Sequence, residues 1–122
     1  MPTELSATQV DELKRTFKRC SPATIEAILS FRQTGDLANL PVIVRGIVRR
    51  FLREETRASF DQAGPETPLS SLGADSLTML EIMLDVQEAL DIFIEDSELK
   101  RMQTVGDVDE FLHQKMTSLG AV

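Results

Sequence analysis

Apolar positions along this chain recur with a helical period, and no segment shows the strict alternation of a half-buried strand. Val10, Leu13 and Phe17 mark a first helix over 8–19, with Ser6 as its cap. Ser21-Pro22 is a cap followed by proline at the first helical position, and it opens a second helix. Ile25, Ile28, Leu29 and Arg32 share one face of that helix, and Gly35 supplies its stop. A third helix is expected over 39–56, starting at Asn39 and Pro41. Its stripe is Leu40, Ile43, Val44, Ile47 and Phe51, while Arg45, Arg49 and Arg53 lie mainly on the other side.

The period is lost over 58–74, where Gln62-Ala63-Gly64-Pro65-Glu66-Thr67-Pro68 has loop composition. A connection of this length needs a reason in a packed helical domain. Phe60, Leu69 and Leu72 are the residues expected to pin it to the core. A fourth helix follows over 75–90, then a short segment over 97–102 and a last helix over 105–116. The pattern therefore predicts an all-α protein.

Composition narrows what such a protein does. With 122 residues, 42% apolar and 27% charged, the chain is long enough to bury a core without metal or disulfide staples. It has six Phe but no Trp or Tyr, which argues against base-stacking platforms for single-stranded nucleic acid. One Cys and one His exclude an internal disulfide and a multi-Cys/His zinc site, and leave His113 as the sole candidate histidine base. These counts point away from an enzyme. No basic-then-apolar leader opens the sequence and no apolar stretch is long enough to span a bilayer, so no membrane insertion is expected. The single thiol fits a cytoplasmic location, and a monomer is expected.

Charge divides the chain in two. Residues 1–57 hold ten Lys/Arg against seven acids, whereas residues 58–122 hold three against thirteen. The acidic half is expected to repel nucleic acid and to prefer basic partners.

The candidate chemistry sits at Gly73-Ala74-Asp75-Ser76-Leu77, where the long loop meets the fourth helix. Asp75 is positioned to cap that helix, which places Ser76 in its first turn. A helix N-terminus favours negative charge, so a phosphate ester on Ser76 would meet a receptive field. An isolated Asp-Ser is ordinarily only a capping pair. The helix that follows carries two stripes at helical spacing. Met79, Met83, Val86 and Leu90 form an apolar one suited to the core. Leu77, Glu81, Leu84 and Glu88 form the other, with Asp85 and Asp91 nearby. Leucines framed by carboxylates suggest a partner surface, the alternative being a wide face with both leucines half-buried.

Gly-Ala-Asp-Ser-Leu before an acidic helix, a glutamate five residues after the serine, then Leu90-Asp91-Ile92-Phe93-Ile94-Glu95-Asp96 and Gln103-Thr104-Val105-Gly106-Asp107-Val108, resemble an acyl carrier protein. The resemblance covers roughly 39–122 and implies a four-helix bundle with one short helix; residues 1–38 stand outside it as an N-terminal helical hairpin. It implies that Ser76, after Asp75, is esterified with 4′-phosphopantetheine by a phosphopantetheinyl transferase, and that the arm's thiol carries acyl groups. Cys20 is then a structural cysteine rather than the acyl-bearing sulfur. The resemblance places an acyl cavity at Met83, Val86, Ile94, Leu99, Met102 and Val108, with Met79 at its mouth. Leu77, Glu81, Leu84, Asp85 and Glu88 become the surface that meets basic patches on acyl-synthesis and transfer enzymes.

The sequence departs from the family pattern in three places. Thr78 stands where an acid is common, Glu95 where proline is frequent, and Glu98-Leu99-Lys100-Arg101 replaces a more acidic short helix. Fatty-acid or lipid synthesis is the expected setting, and polyketide or aminoacyl intermediates are the alternative within the same chemistry. A helix-turn-helix around Arg19-Cys20-Ser21-Pro22 is a third reading, weakened because Lys14, Arg15, Lys18 and Arg19 precede a second helix that carries only Arg32. An unmodified helical interaction module is a fourth. The thin stripes of the hairpin cannot stabilise helices this short alone. They are expected to dock on the bundle of the same molecule, with a partner enzyme or a second copy of the chain as the alternatives.

Overall fold

A computed structural model describes residues 5–118. Among the described residues, seven α-helices follow one another: α1 (Ala7–Thr16), α2 (Pro22–Thr34), α3 (Leu40–Phe51), α4 (Glu54–Asp61), α5 (Ser76–Leu90), α6 (Asp96–Leu99) and α7 (Val105–Ser118). Single 3-10 turns at Leu37–Asn39 and Leu69–Leu72 precede α3 and α5. The all-α expectation holds.

Helix ends follow local chemistry. Ser6 and Gln9 form a reciprocal capping box on α1, and the Ser21 hydroxyl accepts from Thr24 N at 3.2 Å at the start of α2. Gly35 ends α2 in the left-handed conformation. The third helix stops at Phe51, short of the expected 56, because Leu52 adopts extended backbone and turns its side chain into the core. α4 then occupies 54–61, partly inside the stretch expected to be loop. Glu54 and Glu55 in its first turn suit the helix dipole, and Phe60 is buried.

The hairpin α1–α2 is docked on the same molecule: α2 packs on α3 and α5. Leu13, Phe17, Ile28 and Phe31 enter one core that continues through α3, α5 and α7. α2 and α3 approach closely at Gly46, where any Cβ would overlap the side chain of Thr24. Arginines of the hairpin and of α3 then tie to the acidic half. Arg32 donates to the Glu88 carbonyl oxygen at 3.1 Å, Arg50 to Asp85 at 2.7 Å, and Arg45 faces Asp109 at 3.5 Å. The charge asymmetry of the sequence is thus partly consumed inside the molecule.

The connection before α5 is held by backbone bonds. Leu69 N donates to Gln103 O at 2.9 Å, Val105 N to Thr67 O at 3.1 Å and Gly106 N to Pro65 O at 2.8 Å. With Phe60, Leu69 and Leu72 all buried, this explains how so long a connection stays ordered.

Candidate attachment site and cleft

α5 presents Ser76 at its first position, exposed to solvent. The approach to it is set by Gly73, whose φ of 90° lies in the left-handed region that favours glycine, with open space where a Cβ would point. Ala74 then turns inward and is buried. Asp75 Oδ1 accepts from Thr78 N at 2.8 Å, as expected for the cap. That bond holds its carboxyl below the usual carboxylate range. A depressed carboxylate stabilises the fold while it is ionised, above its unfolded pKa. The contribution is lost as pH falls through the folded value.

Beside Ser76 opens a cleft of about 810 Å³, bounded by α5, α6, the loop before α5 and the segment after α6. Met79, Met83, Leu99 and Met102 line it, as do Leu69, Ala74 and Leu80. Three residues expected in the acyl cavity lie elsewhere: Val86, Ile94 and Val108 are buried in the core and do not border the cleft. The family resemblance grouped them with the cleft residues, whereas here they are part of the buried core cluster. Leu69, expected only to pin the connection, and Ala74 were not expected to line the cleft, because they precede α5 in a stretch without helical period. Lys100 was visible there only as an unusual basic residue; the fold puts it on the cleft wall.

The outer face of α5 is open. Leu77 is 66% exposed and Leu84 56%, with Glu81 and Glu88 exposed between them. Asp85 differs from the expectation. It is half-buried, and Arg50 Nη1 donates to it at 2.7 Å. Burial pushes its carboxyl up despite the neighbouring guanidinium, which acts in the opposite sense. It is an internal ion-pair partner and not a free surface acid. Cys20 is buried too, and burial raises its thiol pKa, which disfavours the nucleophilic thiolate.

A reachable hydroxyl, a helix end that tolerates anions and a mostly apolar shelter alongside make this a site for holding a group rather than for turning one over. Residues 43–112 match the family described as phosphopantetheine attachment site, and the chain belongs to that family. The acyl carrier protein of Desulforapulum autotrophicum is 34% identical over 74 residues, covering 59% of this chain and 96% of the relative. That of Exiguobacterium sibiricum is 27% identical over 74 residues, 61% of this chain and 89% of the relative. The acyl carrier protein of Thermotoga maritima is 27% identical over 70 residues, 57% of this chain and 86% of the relative. No solved structure gives a significant match. The protein is accordingly a carrier and not an enzyme, and its prosthetic group is a covalently attached phosphopantetheine. The hairpin of α1 and α2 lies outside the matched residues.

The residues present fit that group. Ser76 offers an exposed hydroxyl at the first position of α5, and the open space at Gly73 leaves the approach to it free. The cleft begins at the same serine.

Proposed function

We propose that this protein is a stand-alone carrier, working in the cytoplasm, that bears its arm on Ser76 and presents acyl thioesters to enzymes of fatty-acid or lipid synthesis. The observation that carries the reading is the placement of exposed Ser76 at the mouth of a mostly apolar cleft. When bound, phosphopantetheine supplies a thiol on which acyl groups travel as thioesters. Ser76 anchors it, and Asp75 fixes the helix end that presents the serine. Met79, Met83, Leu99 and Met102 give acyl chains an adaptable apolar lining, since methionine is unbranched and fills irregular space. Among the described residues, no helix is long and apolar enough to cross a membrane.

An intact-mass spectrum of the protein from its native host tests the reading directly. Its mass reports whether this chain travels alone, whether it carries one arm, and which acyl group the arm holds. An amino-acid cargo would move the assignment to the aminoacyl alternative. Chain length can be tested separately. Loading the holo-protein with long-chain acyl groups is expected to raise its thermal midpoint, because a ligand sheltered only by the folded state stabilises that state. An unchanged midpoint for every chain length would place the acyl group in solvent.

The exposed stripe Leu77–Glu81–Leu84–Glu88 supports docking of basic partner surfaces, the transferase first among them. Reversing charge at Glu81 and Glu88 together is expected to slow loading about tenfold at low salt, mainly through association, with the defect shrinking as salt rises. A defect of equal size at all salt concentrations would assign these residues to folding instead.

A further inference from the structure

The cleft has an apolar floor but a charged rim. Asp75, Asp96 and Lys100 are its ionisable lining residues, and Lys100 is the cation among them. Asp75 is committed to Thr78 N at 2.8 Å. Asp96 stands in the first turn of α6, where a negative charge suits the helix end. Lys100 immediately follows α6, is exposed, and makes no ion pair among the described residues. The lysine of α7 behaves otherwise: Lys115 donates to Glu98 at 2.9 Å.

A phosphodiester on Ser76 brings another negative charge to this rim, beside two carboxylates. Lys100 is the lining residue able to offset it. Lysine suits the task, being a compact charge on a flexible four-carbon stem that reaches an anion without fixed geometry. Resting on the assignment of the arm to Ser76, we propose that Lys100 is a positioning residue for the arm. Its ammonium pairs with the phosphodiester and biases the arm toward the mouth of the cleft between α5 and α6. An exposed pair of this kind shifts a population by at most about fivefold, and salt screens it. The arm is therefore favoured near its shelter and remains free to leave for a partner. The basic departure after α6, unexplained by docking to basic partners, acquires a role on the protein's own prosthetic group.

Phosphorus NMR of the holo-protein tests this. The signal of the phosphodiester is expected to move between low and about 1 M salt in the wild type, toward the position it holds in Lys100→Gln at any salt. Lys100→Arg should keep the wild-type behaviour, and so should Arg101→Gln, which removes an exposed neighbour outside the cleft lining. As a second readout, hydroxylamine should cleave an octanoyl thioester about two- to fivefold faster on Lys100→Glu than on wild type at low salt, with no difference at high salt. Identical phosphorus signals in wild type and a folded Lys100→Gln at low salt would overturn the proposal while leaving the arm on Ser76, since the signal itself reports the arm. A wild-type protein that accepts no arm would overturn the carrier assignment instead.

Discussion

Ser76→Ala is expected to accept no arm from any transferase that loads the wild type, a complete loss in an intact-mass assay. The substitution removes the exposed hydroxyl at the first position of α5 and little else; Thr78, two residues on, is half-buried. The cap is Asp75, whose bond to Thr78 N at 2.8 Å does not involve the serine side chain. Ser76 is exposed, so the change in stability should stay within about 0.5 kcal/mol. Two nearby serines make the test discriminating. Ser70 borders the same cleft, and Ser71 Oγ donates to the Pro68 carbonyl oxygen at 2.6 Å. Neither stands at the N-terminus of a long helix, and Ser70→Ala should load normally. An arm appearing on Ser76→Ala would show that cleft proximity, not the helix end, selects the hydroxyl.

Deleting residues 1–38 should produce the largest loss of stability of any change considered. The removed segment contributes Leu13, Phe17, Ile28 and Phe31 to the common core. Phe31→Ala alone should cost about 3–5 kcal/mol, through lost burial and the cavity left behind. For a domain of this size that lowers the thermal midpoint by on the order of ten degrees. The truncated chain would expose the faces of α3 and α5 that α2 now covers, and dye binding should report the new apolar surface. Ser76 and its cleft lie on other elements than the hairpin, so loading by the transferase should survive at temperatures where the truncated chain remains folded. Unchanged stability and amide protection after the deletion would mean that the hairpin does not hold its docked position in solution, and recruitment of a partner would then be the better account of it.

The parts of this molecule that were legible in the sequence are those governed by local rules. Ser6, Ser21 and Asp75 cap helices because short polar side chains next to a periodic apolar run have few better uses. The two stripes of α5 follow from helical spacing alone: Met83, Val86 and Leu90 are buried while Leu77 and Leu84 are exposed. What stayed hidden depends on encounters between distant residues. Asp85 looked like a surface acid because its partner, Arg50, lies 35 positions away. The true end of α3 is set by Leu52, whose burial outweighs helical continuation, and no local signal marks that choice. α4 is short and mostly polar, with Phe60 its one buried side chain, and a helix of this length depends on such packing. The cleft was half legible. Its methionines stand at readable spacing, whereas Leu69 and Ala74 reach it from a loop whose course is fixed by bonds to residues 103–106.

Those same bonds make the two walls of the cleft unequal in stiffness. The wall built from the connection before α5 is stitched to the start of α7 by backbone bonds from Leu69, Val105 and Gly106. The opposite wall is α6, four residues long, held by its own Glu95–Glu98 capping box and by Lys115 on Glu98 at 2.9 Å. A helix of one turn has no cooperative stability of its own and opens at little free-energy cost. If the cleft shelters acyl chains as proposed, a longer chain is expected to displace α6 rather than the loop side, which is the more firmly bonded wall. The Lys115–Glu98 pair that ties α6 to α7 lies outside the cleft lining, so on that reading the capacity of the cleft and attachment at Ser76 depend on separate residues.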